Sequence, residues 1–178
     1  MQIGLLALCF AATASWVAAN PAGTWLDVPF IAQPENGCGA ASVAMVMQYW
    51  ENDLRQPTTT RSSVETIQQK LYSRQAKGIF ASALVKYFRD SGYRVFAIRG
   101  EWPDLQENIA KGRPLIVSLA PSGPRYPLHY VVVAGIDADR SAVFVNDPAR
   151  QKLFRIARPD FEKEWNEAGN WTLLALPN

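Results

Sequence analysis

Few residues in this chain can do nucleophilic chemistry. There are two cysteines, Cys9 and Cys38, and one histidine, His129. Cys38 lies between Gly37 and Gly39, where the turn-rich stretch Gln33-Pro34-Glu35-Asn36-Gly37 gives way to the apolar run Ala40–Trp50. A helix starting there holds the thiol among backbone N–H groups that lack partners. The helix dipole biases such a thiol toward thiolate. A thiolate so placed is a nucleophile that needs a base, and His129 is the only imidazole available. His129 follows a loop stiffened by Pro121, Pro124 and Pro127 and opens a run of β-branched residues. It therefore sits at a strand end, where a rigid scaffold meets a loop. The plainer readings are a buried structural cysteine and an exposed or structural histidine.

A carboxylate can orient the imidazole. Strands over 129–136 and 142–146, joined by a short turn, form an antiparallel hairpin. Pairing Ile136 with Ser141 puts Asp147 opposite Tyr130, and a shift of one residue puts it opposite His129. Directly paired side chains lie about 5 Å apart. Asp147 can then accept from one imidazole nitrogen and leave the other facing Cys38. Asp147 can also serve only to cap the Asp147-Pro148 turn, and Asn146 is the competing orienter. Cys38, His129 and Asp147 together make a cysteine-nucleophile triad. An oxyanion formed on attack needs donors. The Cys38 N–H is one, and the Gln33 side-chain amide is the second candidate; a solvated loop glutamine is the alternative.

Residues 1–19 differ from the rest. Ile3–Phe10 is apolar, Ala11–Ala19 is rich in small residues, and no charge occurs before Asp27. Val17-Ala18-Ala19 has small residues where a signal peptidase reads, so a signal peptide over 1–19, cleaved before Asn20, is expected. Met1-Gln2 carries no positive charge, and an uncleaved anchor is the alternative, although the apolar run is short for a membrane span. Cleavage removes Cys9 and leaves Cys38 as the only thiol of a periplasmic or secreted protein, where it cannot form an internal disulfide.

The elements that must position these residues read as helices first and a sheet second. Thr24–Ile31 is extended. Helices are expected over about Gly39–Trp50, over about Ser63–Ser73 (Ser62-Ser63-Val64-Glu65 has capping-box spacing), and from Ile79 to a Gly92 cap. A strand over Tyr93–Ile98 is followed by a short helix, Pro103–Lys111. Strands Leu115–Leu119, Tyr130–Ile136, Ala142–Asn146 and Lys152–Ile156 come next, then a helix over Pro159–Asn166 and a strand over Trp171–Leu176. This is an α+β pattern, a helical N-terminal part packed on a mostly antiparallel sheet. It forms one domain over 20–178 with no linker or repeat.

The stretch Gln33…Asn36-Gly37-Cys38-Gly39-Ala40-Ala41-Ser42…Met45…Tyr49-Trp50, with His129-Tyr130-Val131-Val132-Val133-Ala134-Gly135 and Val145-Asn146-Asp147-Pro148-Ala149, resembles the bacteriocin-processing peptidase family of the papain-like cysteine peptidase clan. The resemblance covers roughly residues 25–178. It implies a papain-like fold with the active site between the helical part and the sheet. It also implies Cys38 as nucleophile, His129 as base, Asp147 as orienter and Gln33 as the oxyanion glutamine. The best-known relatives are fused to ABC transporters and cut leader peptides after a double glycine. This chain carries no transporter segment and is more similar to the stand-alone branch, so that specificity is not carried over.

Other chemistries are excluded or weak. A net charge of +2 without a Lys/Arg run argues against nucleic acid. One histidine and one mature thiol make a zinc site improbable. Asp137-Ala138-Asp139-Arg140-Ser141 begins like a calcium loop but has Ala142 and Pro148 where such a loop needs Gly and Glu, so a hairpin turn is expected. No cofactor is expected. Trp25, Trp102 and Trp165 are candidates for lining a cleft, with core packing the better assignment. Three functions remain: a cysteine peptidase acting on a peptide or protein, an acyl- or peptidyl-transferase using the same thiol, and a non-enzymatic peptide-binding or assembly factor on a peptidase scaffold.

Overall fold

The computed structural model describes residues 23–121 and 127–178. The expected signal segment and part of the proline-rich loop before His129 lie outside them. The chain runs β1 (Thr24–Trp25), α1 (Cys38–Asp53), α2 (Val64–Leu71), α3 (Ala81–Asp90), β2 (Tyr93–Arg99), α4 (Trp102–Ala110) and β3 (Leu115–Leu119). It continues with β4 (His129–Asp137), β5 (Ala142–Asn146), β6 (Phe154–Ala157), α5 (Arg158–Glu167) and β7 (Trp171–Pro177).

The central helix α1 is apolar around most of its circumference, and every residue from Gly39 to Met47 is buried. Such a helix is stable only inside the protein. It runs one turn past the expected end. Glu51 in that turn is buried and accepts hydrogen bonds from Thr59 N–H, Thr59 Oγ1 and Ser62 Oγ, tying the following polar loop to the helix. Helix α2 is shorter than expected. Ser63 caps it by accepting from Thr66 N–H at 3.4 Å, and it stops where Tyr72 turns extended and Ser73 pairs with Gly78. Helix α3 starts two residues late, at Ala81, so Ile79 and Phe80 remain extended.

All strand pairs are antiparallel, in the order β2-β7-β3-β4-β5-β6, with β1 added against β4. Alternation along β4 sorts its side chains onto two faces. Tyr130, Val132 and Ala134 join α1, α2 and α3 in one core. Val131 and Val133 join Leu105 and Ile109 of α4 and Phe161 and Trp165 of α5 in a second. The α+β class is as expected, but the helices are not confined to one side. Helices α4 and α5, late in the chain, cover the far face of the sheet. Of the three tryptophans, Trp165 is fully buried, Trp102 packs under the Arg158 guanidinium, and Trp25 is half exposed at the β1 edge. No helix among the described residues is long and apolar enough to cross a membrane.

Candidate active site

Cys38 is the first residue of α1. Its N-cap is Gly37, which has no side chain, so no side chain caps the N–H groups of the first turn. The flanking glycines are required by close approach. A Cβ on Gly37 would lie 2.5 Å from Pro34 Cγ and 2.9 Å from the Pro34 carbonyl oxygen. A Cβ on Gly39 would come within 3.2 Å of Ile79 Cβ and 3.4 Å of the Tyr130 ring, so glycine lets α1 sit down on β4. Ser42, one turn on, donates to the Tyr130 carbonyl at 3.2 Å and pins helix to strand.

His129 is the first residue of β4 and pairs with Leu119 of β3. Its Nε2 lies 2.7 Å from Asp147 Oδ1, which leaves Nδ1 for the Cys38 thiol, and Cys38 and His129 line one cleft and act on each other's ionisation. Neither expected hairpin register is the observed one. The loop closes on Asp137 and Ala142, and a bulge between Val133 and Gly135 shifts the register so that Val132 faces Asn146. Asp147 therefore lies beyond the ladder and reaches His129 from a turn. The turn is built by Arg150 N–H donating to the Asp147 carbonyl at 2.9 Å and Ala149 N–H donating to Oδ1 at 3.0 Å. The one carboxylate both caps its turn and faces the imidazole. Asn146 is committed elsewhere: its Nδ2 donates to the Val28 carbonyl at 3.0 Å and its Oδ1 accepts from Leu153 N–H at 2.9 Å.

The electrostatics follow from this geometry. Burial pushes the Cys38 thiol up. The His129 hydrogen bond and charge, with backbone hydrogen bonds from Tyr130 and Gly39, outweigh that and bring it below its ordinary value. Burial disfavours a charged His129, but hydrogen bonds and negative charge from Asp147 and Cys38 push its pKa up to about 9. Burial also raises Asp147, and the His129 contact, the Ala149 N–H and the Arg150 charge bring it below the usual carboxylate range. All three groups favour their charged forms, the pattern of a thiolate–imidazolium pair held by a carboxylate.

Gln33 lines the same cleft as Cys38 and His129. Its backbone N–H donates to the Pro148 carbonyl at 2.9 Å, which ties the loop before the thiol to the turn after Asp147. Its Oε1 is buried without a hydrogen-bond partner. The cleft is open, about 1450 Å³, and runs across the end of the sheet. One wall is the Lys77–Ala81 link into α3, and the other is formed by Phe154 of β6 and by Asp160 and Glu164 of α5. Sequence reasoning missed Arg150, which lies 3.4 Å through Nε from Asp147 Oδ2, and Glu164, whose carboxyl is raised first by burial and also by Asp160 and Glu167. The i, i+3 spacing of Asp147 and Arg150 was the available signal for the first; nothing local signalled the second. Among the described residues, no group of three or more His, Cys, Asp or Glu is placed to hold a metal ion.

Residues 25–173 match the model of the Peptidase_C39 like family. The chain belongs to that family. Solved structures agree on the fold of this C39-like protein. The crystal structure of a protein described as a C39-like peptidase from Bacillus anthracis is 18% identical, covers 88% of this chain and 98% of its own, and superposes with a TM-score of 0.68. The peptidase domain of Streptococcus ComA, a bifunctional ABC transporter of a quorum-sensing pathway, is 19% identical over 85% of this chain and 99% of its own, with a TM-score of 0.65. A double-glycine-motif protease from an AMS/PCAT transporter, solved with its leader peptide, is 23% identical over 87% of this chain and 95% of its own, with a TM-score of 0.64. No curated protein gives a significant match. The fold is thus that of the papain-like C39 peptidase domains, and family and fold support a cysteine peptidase.

Proposed function

We infer that residues 20–178 form one exported cysteine peptidase domain that hydrolyses an amide bond of a peptide or protein. The observation that carries this reading is a single imidazole held at 2.7 Å by a buried carboxylate and sharing an open cleft with a thiol at a helix start. In this account the Cys38 thiolate attacks the scissile carbonyl carbon. The oxygen's new charge is received by the Cys38 N–H and the Gln33 amide. The imidazolium, held by Asp147, protonates the leaving amine as the C–N bond breaks and a thioester remains. His129 then takes a proton from water, which attacks the thioester and releases the acid and the thiolate. The cleft is open and about 1450 Å³, roomy enough for a peptide segment. That a relative of the same fold was solved with a leader peptide supports a peptide as occupant.

The test is mass spectrometry of a peptide mixture after digestion by the purified protein, with Cys38→Ala as control. Cys38-dependent products carrying new free carboxyl ends support hydrolysis. Products joined to an added amine would instead support transfer, and no Cys38-dependent product at all would remove the enzyme. Once a substrate is in hand, Gln33→Ala should lower kcat by about 10²- to 10³-fold with little change in KM, because its amide is used only as the oxyanion forms. Unchanged kcat would return Gln33 to a loop-tethering role. Export is tested separately by expressing the full chain in a bacterial host and sequencing the N-terminus of the product. A start at Asn20 is expected, and an intact Met1 contradicts cleavage.

A further inference from the structure

The Asp147 carboxylate is contacted from three sides. Oδ1 faces His129 Nε2 at 2.7 Å and accepts from Ala149 N–H at 3.0 Å. Oδ2 faces Arg150 Nε at 3.4 Å. An arginine with a half-exposed side chain is ordinarily solvated and contributes little. This one is fixed on two sides, by the carboxylate and by the Phe154 ring, whose centroid lies 4.6 Å from the guanidinium carbon. A planar guanidinium can stack on the ring while its edge N–H faces the carboxylate, a geometry an ammonium matches only in part. The carboxylate's remaining freedom is rotation about its own axis, which would carry Oδ1 off the imidazole, and a charge anchored on Oδ2 opposes that rotation.

We propose that Arg150 is a positioning residue: clamped between Asp147 Oδ2 and the Phe154 ring, it holds the carboxylate so that Oδ1 stays on His129 Nε2. The proposal rests on the triad reading above. Its consequence has a sign. The charged groups around His129 are Cys38 of α1, Asp147 and Arg150 of the turn after β5, and Glu164 of α5, itself influenced by Asp160 and Glu167. If Arg150 acted only as a nearby positive charge, it would repel the imidazolium, and removing it would raise the pH at which His129 loses its proton. If Arg150 positions Asp147, removing it loosens the bond that stabilises the imidazolium, and that pH falls.

The experiment is the rate of Cys38 alkylation by iodoacetamide across pH in the wild-type protein, Arg150→Ala, Arg150→Lys and Phe154→Leu, with circular dichroism to verify folding. The wild type should react on a plateau beginning below the ordinary thiol range and ending where His129 deprotonates. In Arg150→Ala the upper limit of the plateau should move down by roughly half a pH unit, as the loss of a partly exposed ion pair implies. Arg150→Lys should recover part of the shift, since it keeps the charge without the planar fork. Phe154→Leu, which keeps the arginine and removes its stacking surface, should move the limit the same way by less. A limit that rises or does not move in Arg150→Ala overturns the positioning role while leaving the triad intact. A wild-type profile with an ordinary thiol titration overturns the triad and this role with it.

Discussion

Replacing His129 by alanine should slow alkylation of Cys38 at pH 7 severalfold, by up to about thirtyfold if the thiol is otherwise ordinary. The reason lies in what acts on the thiol. Burial is the largest influence on Cys38 and pushes its pKa upward; the imidazole hydrogen bond and charge are the main influences that bring it down. With His129 gone, burial is opposed only by backbone hydrogen bonds from Tyr130 and Gly39. An ordinary thiol near pKa 8.5 is only about 3% thiolate at pH 7, which sets the upper scale of the loss. The pH dependence has a definite sign. In the wild type a thiolate–imidazolium pair should exist above the lowered thiol pKa and persist until the imidazolium deprotonates near 9. In His129→Ala a single rise at or above the ordinary thiol value should remain. Stopped-flow or mass-spectrometric measurement of the alkylation rate decides it, and an unchanged rate at pH 7 would show that the helix terminus alone activates the thiol.

Trp165→Ala should destabilise the protein by about 3–5 kcal/mol, the range for truncating a buried tryptophan. Trp165 is 1% exposed in the core between the sheet and α5. Its indole packs against Phe161, with ring centroids 5.5 Å apart, and its Nε1 donates to the Trp171 carbonyl at 3.4 Å. A Cβ on Gly100 would lie 2.8 Å from the indole, so the backbone there closes directly over the ring and offers no side chain of its own to fill the hole. The melting temperature should fall on the order of 10 °C for a chain of this size. The effect also reaches the site. Helix α5 carries Asp160 and Glu164 on the cleft wall, and the Glu164 carbonyl accepts from Ala120 N–H at 3.1 Å, just before the loop that leads to His129. Calorimetry measures the stability term. A drop of less than about 1 kcal/mol would mean that the second core is far looser than its burial implies.

Much of the site was legible because the chain is poor in the relevant residues. One histidine, one cysteine at a helix start and an Asp-Pro turn after a hairpin leave few combinations, and the structure brings Cys38, His129 and Asp147 together. Helix α1 was legible for the same physical reason that it is central, since an apolar run without a polar face has nowhere to go but inside. What sequence did not supply was register and side. The bulge falls at Ala134, beside Gly135, but that glycine also sits where β1 crosses closely (a Cβ there would lie 2.7 Å from Trp25 Cβ), so by itself it does not reveal the pairing of β4 with β5. The choice between Asp147 and Asn146 followed from that register. Asn146 proved to be bound to Val28, Pro29 and Leu153, segments whose approach depends on the tertiary fold. The late start of α3 has a similar cause: Phe80 has helical spacing with Leu84, but Gly78 pairs back to Ser73 and holds Ile79 and Phe80 extended along the cleft. The placement of α4 and α5 on the second face could not be read from order along the chain, because an amphipathic helix records that it has an apolar face and not which sheet face receives it.

The single histidine offers the most direct test of the central claim that Cys38 and His129 form an ion pair steadied by Asp147. One imidazole gives one set of ring signals, so an NMR titration of tag-free protein reports His129 without any assignment problem. A pKa near 9 is expected, falling when Cys38→Ser removes the thiolate. A titration at or below the ordinary histidine value near 6.5 would contradict it.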